Sequence, residues 1–122
     1  MNILAIDYGT KNIGLAWCNT GIGVALPFGA AKNIGEIIKI VSDEKIDKVI
    51  IGLPVGINGK ENMNTERVRK FGNDIKLATE VEVEFSDERF SSQAADRMGA
   101  GVSRDEKSAL IILDDWLNAA KK

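Results

Sequence analysis

Ile3-Leu4-Ala5-Ile6-Asp7-Tyr8-Gly9-Thr10-Lys11-Asn12-Ile13-Gly14-Leu15-Ala16-Trp17 decides the fold. An apolar strand runs into an acidic residue and a glycine turn, and a second apolar run follows from Ile13 to Trp17. Such a strand is buried on both faces and holds one carboxylate at its end, while the turn backbone stays open to a ligand. A carboxylate fixed in this way suits a metal ion or a phosphate-bearing substrate. Asp7 is therefore the first place to look for chemistry.

Working outward, residues 2–7, 12–18 and 22–28 read as three short strands separated by Gly, Asn and Thr turns, a meander signature. Pro27 sits at the end of the third, which suits an edge position. From Asn33 to Ser42 the period changes from two to 3.6, with Ile34, Ile37, Ile38 and Val41 at helical spacing. The all-apolar run Val49-Ile50-Ile51-Gly52-Leu53 predicts a core strand that ends at Pro54 in a glycine-rich loop. A helix is expected over 64–77, with Val68, Phe71, Ile75 and Leu77 turned inward.

Val81-Glu82-Val83-Glu84-Phe85 alternates strictly, which indicates a strand with one solvated face at a sheet edge. A short helix over 91–98 and a final helix over 104–120 complete the chain. The order β-β-β-α-β-α-β-α-α predicts an α/β fold, a mixed five-stranded sheet with helices on both faces. This is the element order of the ribonuclease H-like fold.

The 122 residues form one expected domain, 1–122, long enough to bury roughly two-thirds of the unfolded surface. Charged residues make up 28% and nearly cancel, leaving a net charge of −2. That balance excludes a generic nucleic-acid coating protein, whose affinity comes from clustered Lys and Arg, but leaves room for a local basic patch. With no His and a single Cys, neither an intrachain disulfide nor a zinc site is expected. Cys18 reads as a small buried hydrophobe. No stretch is long enough to span a membrane, the N-terminus lacks a signal-peptide pattern, and a cytoplasmic location is the expectation.

The last helix carries a further acid. Ala109, Ile112, Leu113, Trp116, Leu117 and Ala120 form its apolar stripe, and Asp105 precedes Ala109 by one turn on that stripe. Asp105 has two readings: an N-cap for the helix, or an acid left to face the sheet because Ser103 and Glu106 already form a capping box. Asp87 and Glu88 follow the alternating strand, where parity places Asp87 on the side of Val83 and Phe85 and Glu88 on the other. Three carboxylates gathered at one sheet edge raise one another's pKa values unless a cation compensates. Oxygen-only ligands favour Mg2+ or Mn2+. Two such ions can clamp the attacking and leaving oxygens of phosphodiester hydrolysis, with no nucleophilic side chain required.

Asp7-Tyr8-Gly9-Thr10-Lys11-x-Ile13-Gly14, Gly52-Leu53-Pro54, Asp87-Glu88-Arg89-Phe90-Ser91 and Asp105-x-x-Ser108-Ala109-x-x-Ile112-Leu113 resemble, in order, the motifs of the YqgF/RuvX family. Members of that family have a ribonuclease H-like fold and are described as Holliday junction resolvases or as nucleases processing the 5′ end of the small-subunit ribosomal RNA precursor. The resemblance spans nearly the whole chain. It implies a metal-dependent endonuclease with Asp7, Asp105 and the pair Asp87/Glu88 as candidate catalytic residues, and Asp7, Asp87 and Asp105 as metal ligands. It also implies Arg67 and Arg89 beside substrate phosphates; Lys11, Lys60 and Lys70 either extend that patch or are ordinary solvated surface, and the Thr10 hydroxyl beside Asp7 either orients a water or phosphate or stabilises the turn.

The chain departs from the family pattern in a short segment between Ala95 and Asp105, in Asn58 and Lys60, and in Ser108.

The implied partner is a nucleic acid, either precursor rRNA or branched DNA. A branched-DNA resolvase needs paired sites and hence a homodimer, so monomer and homodimer both stay open. Two other classes compete. Asp-x-Gly-Thr after a first strand also occurs in actin/sugar-kinase nucleotide-binding domains, which need two such domains around the nucleotide. A non-catalytic nucleic-acid-binding module for ribosome assembly would keep the fold without useful cleavage.

Overall fold

The apolar opening run forms strand β1 (Asn2–Asp7). The elements that follow are β2 (Ile13–Asn19), β3 (Leu26–Ala31), α1 (Ile34–Asp43), β4 (Lys48–Leu53), α2 (Met63–Thr79), β5 (Glu82–Asp87) and α3 (Arg104–Ala120). This computed structural model describes residues 1–8, 12–53, 63–87 and 104–120, and side chains over 1–8, 12–53, 65–86 and 109–118. The expected helix over 91–98 lies outside the described residues, as do Asn58 and Lys60.

The sheet order is β3-β2-β1-β4-β5. β1, β2 and β3 form the antiparallel meander, whereas β1 pairs parallel with β4 and β4 parallel with β5. The alternating strand is therefore an edge, as its pattern predicts, and β3 forms the other edge.

Ile3 to Ile6 are completely buried because helices cover both faces of the strand. Leu4 and Ile6 pack with Val49, Ile51 and Leu53 against Ile37 and Val41 of α1 and Val68, Phe71 and Ile75 of α2. Ile3 and Ala5 pack with Ala16, Cys18 and Ile50 against Ala109, Ile112, Leu113 and Leu117 of α3. Odd and even positions of one strand thus feed two separate cores. None of the described helices is long and apolar enough to cross a membrane.

Local signals explain where α1 starts and where α1 and α2 stop. The Asn33 side chain accepts from the Glu36 backbone N–H at 3.0 Å, and the Glu36 carboxylate accepts from the Lys32 N–H at 2.6 Å, a reciprocal cap. Lys45 and Glu80, just past α1 and α2, adopt left-handed backbone conformations with φ of 51° and 63°.

Two expectations are corrected. The third strand begins at Leu26 rather than residue 22 and continues to Ala31. The backbone N–H groups of both Ile22 and Gly23 donate to the Asn19 carbonyl, closing a turn that uses residues the alternation assigns to a strand. Gly23 has a φ of 76°, a conformation outside any strand. Leu77 is 73% exposed rather than inward. It lies two residues past buried Ile75, a spacing that rotates it about 200° around the helix axis.

Candidate active site

Asp7 is the last residue of β1, half-buried, and pairs with Gly14 on β2. Four fully buried residues beneath it fix its backbone. Strand alternation places it with Ile3 and Ala5, on the α3 side of the sheet. Tyr8 supports this assignment from the opposite face. Its ring meets Phe71 of α2 with centroids 4.6 Å apart and planes tilted by 52°, so the start of the glycine turn is anchored on α2.

Residue 87 stands at the same end of the sheet. In the parallel register Ile6 pairs with Ile51, and Leu53 pairs with Asp87, so β1 and β5 finish on either side of the end of β4. Two strand spacings put backbone positions 7 and 87 roughly 10 Å apart. Position 87 falls in line with Val83 and Phe85, which pack toward the α1/α2 layer. The opposite parity is shown by Glu84, whose carboxylate accepts the Trp116 Nε1–H of α3.

The same contact fixes the direction of α3. Lys48 opens β4 and pairs with Ile3, so it marks the amino ends of the parallel strands. Its Nζ lies 5.0 Å from the centre of the Trp116 ring and 3.6 Å from the Glu84 carboxylate. The C-terminal half of α3 therefore covers the amino ends, and its N-terminal turns lie toward the carboxyl ends. Trp116 to Asp105 is eleven residues, a rise of about 16 Å. Ile3 to Asp7 spans about 13 Å of strand. Position 105, one turn before buried Ala109, thus comes level with the end of β1, on the side that Asp7 faces.

The backbone accordingly brings positions 7, 87 and 105 to one end of the sheet, with 7 and 105 on a common face. Among the described residues no three acids, His or Cys are grouped for a metal ion; the side chains at 87 and 105 lie outside that description. Thr10, Lys11, Glu88 and Arg89 also lie outside the described residues, and with them the choice between Asp87 and Glu88. Arg67 and Lys70 are exposed on α2, beside the buried Val68 and Phe71.

Sequence reading missed the Lys48–Glu84–Trp116 contact, because an apolar-stripe Trp116 is expected simply to fill core. The available signal was its place at the margin of the apolar stripe, paired with the glutamates that alternate along β5. Among solved structures, RuvC of Thermus thermophilus in complex with a Holliday junction substrate aligns with a TM-score of 0.69. Identity is 16%, over 99% of this chain and 96% of that one, so the likeness establishes the fold, the ribonuclease H-like fold of RuvC.

A protein of Maridesulfovibrio salexigens with the provisional name pre-16S rRNA nuclease is 31% identical over 135 residues, covering 98% of this chain and 100% of that protein. Another of that name, from Aeromonas hydrophila, is 35% identical over 131 residues, covering 95% of this chain and 94% of that protein. A family model described as RuvX, Holliday junction resolvase, matches residues 1–119. With four motifs in order, the fold and full-length relatives in agreement, the chain belongs to the RuvX family.

Proposed function

We propose that this member of a nuclease family hydrolyses phosphodiester bonds with divalent cations, Mg2+ or Mn2+, and that its substrate is the 5′ leader of pre-16S rRNA. The observation that carries the reading is the end of the parallel sheet, where Asp7 and the first turn of α3, bearing Asp105, share one face beside the end of β5. Asp7, Asp105 and one acid of the Asp87/Glu88 pair would hold the cations. Their donor set fits, since it offers only carboxylate oxygens in a chain without His.

Bound there, the cations would supply charge stabilisation for the attacking and leaving oxygens. The protein supplies position. The buried Ile3–Ile6 backing stops Asp7 from retreating from its neighbours, so mutual repulsion among the acids is relieved by cation binding. Arg67, on the exposed side of the first turns of α2, would take a substrate phosphate, as Arg89 would by family resemblance, and Thr10 and Lys11, next to Asp7 in the chain, would extend that contact.

The substrate assignment follows the full-length relatives named for pre-16S rRNA. A second reading, cleavage of branched DNA, is favoured by the family description and by the fold shared with a junction-bound RuvC. It requires two sites and hence a homodimer. Cleavage assays on a precursor rRNA leader and on a four-way DNA junction, each with Mg2+, Mn2+ or EDTA, separate the two. The proposal expects metal-dependent cutting of the leader. Metal-independent binding without cutting would instead support a non-catalytic assembly module.

A further inference from the structure

A groove of about 270 Å3 lies between α2 and β5, lined by Arg69, Gly72, Asn73, Lys76, Val83 and Phe85. It is slightly smaller than the roughly 300–1,000 Å3 of typical ligand pockets, room for part of a ligand. Its lining combines an aromatic and a β-branched side chain from β5 with two cations and an amide from α2. Arg69, Asn73 and Lys76 follow one another at helical spacing, so a single stripe of α2 forms one wall. Glu82 and Glu84 alternate to the opposite face of β5, where both lie within 4 Å of Lys48.

The ring of Phe85 is held in place. A Cβ added to Gly72 would stand 2.6 Å from Phe85 Cζ, so the α2 backbone lies directly against the ring. The Arg69 guanidinium sits 5.5 Å from the ring centre. The guanidinium lies over a face of this fixed aromatic ring, and the outer side of that planar cation is a surface on which a flat, electron-rich ring can stack. Lys76 brings a second positive charge about two turns farther along, and Asn73 between them offers both a donor and an acceptor.

We infer that this groove docks one unpaired nucleotide of the substrate strand, its base against Phe85 and Arg69 and its flanking phosphates at Arg69 and Lys76. The inference rests on the nuclease reading above for the identity of the ligand as nucleic acid. Stacking on an aromatic side chain requires a base free of its own neighbours, so the site discriminates for single-stranded segments and against continuous duplex. Phe85 stands two residues before the end of β5, about 7 Å along the strand. The docked nucleotide therefore lies near the carboxyl end of the sheet on the α2 face, so the strand would pass around the β5 edge to the face that positions 7 and 105 share, and the groove would set which phosphate of a single-stranded leader reaches the acids.

The test uses the isotope-labelled full chain in EDTA, so that binding is read without cleavage. Titration with a short single-stranded RNA should shift the backbone amides of Gly72, Asn73 and Val83 saturably, and a duplex of the same sequence should not. Arg69→Ala combined with Lys76→Ala, both exposed positions, should weaken binding about tenfold and make the log–log salt slope shallower by about 1.4, at about 0.7 per lost phosphate contact on a single strand. Unmoved amides at the groove, equal binding of duplex, or unchanged affinity of the double variant would each overturn the inference. The two readings fail separately. Groove binding in a chain that never cuts RNA or DNA sinks the nuclease; leader cleavage that cuts the same phosphates equally well in the double variant sinks the groove.

Discussion

Gly72 offers a sharp test of how α2 is seated on the sheet. In an exposed helix interior, replacing Gly by Ala stabilises by about 1 kcal/mol through helix propensity. Here the new methyl group would meet Phe85 Cζ at 2.6 Å, Phe85 Cε1 at 2.9 Å and Ile51 Cδ1 at 3.0 Å, all inside ordinary van der Waals contact. Phe85 and Ile51 are paired residues of adjacent strands, so neither can yield without disturbing the other. Overpacking of this kind costs about 1–3 kcal/mol. The propensity gain offsets only part of that, and Gly72→Ala should lose about 1 kcal/mol net, a fall of about 4 °C in Tm for a chain of this length.

Thermal and urea unfolding of the purified chain read this directly. The mechanism is isolated by a double-mutant cycle with Phe85→Leu, which removes the ring edge that the methyl would strike. Gly72→Ala should then be neutral or stabilising when Phe85→Leu is already present, giving a coupling of about 1 kcal/mol or more. A Gly72→Ala protein as stable as the wild type, with no coupling to position 85, would refute the close seating of α2 on β5.

Other perturbations probe the remaining joints. Trp116→Phe keeps a ring but deletes the indole N–H that Glu84 accepts, and should cost about 1 kcal/mol in urea unfolding, with a smaller loss when Glu84→Gln is already present. Asn33→Ala removes the cap on α1 and should cost about 1 kcal/mol by the same measurement. Desolvation, and secondarily repulsion from Asp114, raises the Asp115 carboxyl above its ordinary 3.8, so the folded chain holds that proton more tightly than the unfolded one. The stability this contributes is present below the ordinary value and lost as pH rises through the raised one. Asp115→Asn should therefore stabilise at neutral pH, by no more than about 0.5 kcal/mol at this exposed position, and the gain should vanish in acid. A variant whose advantage grows toward low pH would contradict the sign.

The parts of the fold that the sequence announces are those governed by short-range periodicity. Ile3–Ile6 and Val49–Leu53 have the continuous apolar runs of strands covered on both faces, and the glutamates of 82 and 84 mark an edge. The third strand starts later than its pattern suggests because Ile22 and Val24 mimic alternation, while the hydrogen bonds to the Asn19 carbonyl that decide the matter are invisible in composition. Leu77 misleads because its hydrophobicity outweighs its helical angle in the reading.

Of the proposed site, Asp7 is legible from its place after a buried strand. That position 105 comes level with it depends on the direction of α3, which follows from Trp116 meeting residues far earlier in the chain, Lys48 and Glu84. The groove between α2 and β5 joins Arg69 to Phe85 across a loop, and no local pattern connects them.

The central claim is that acids at the carboxyl end of the sheet cut nucleic acid with the help of divalent cations. The most direct measurement is cleavage of a precursor rRNA leader by the wild type, Asp7→Asn and Asp105→Asn, in Mg2+ and in EDTA. Wild-type cutting that needs the metal and falls at least about a hundredfold in each variant, with both variants still folded and still binding the leader, is the predicted result. Cutting that persists in either variant or in EDTA, or a wild-type chain that binds the leader and never cuts it, would contradict the account.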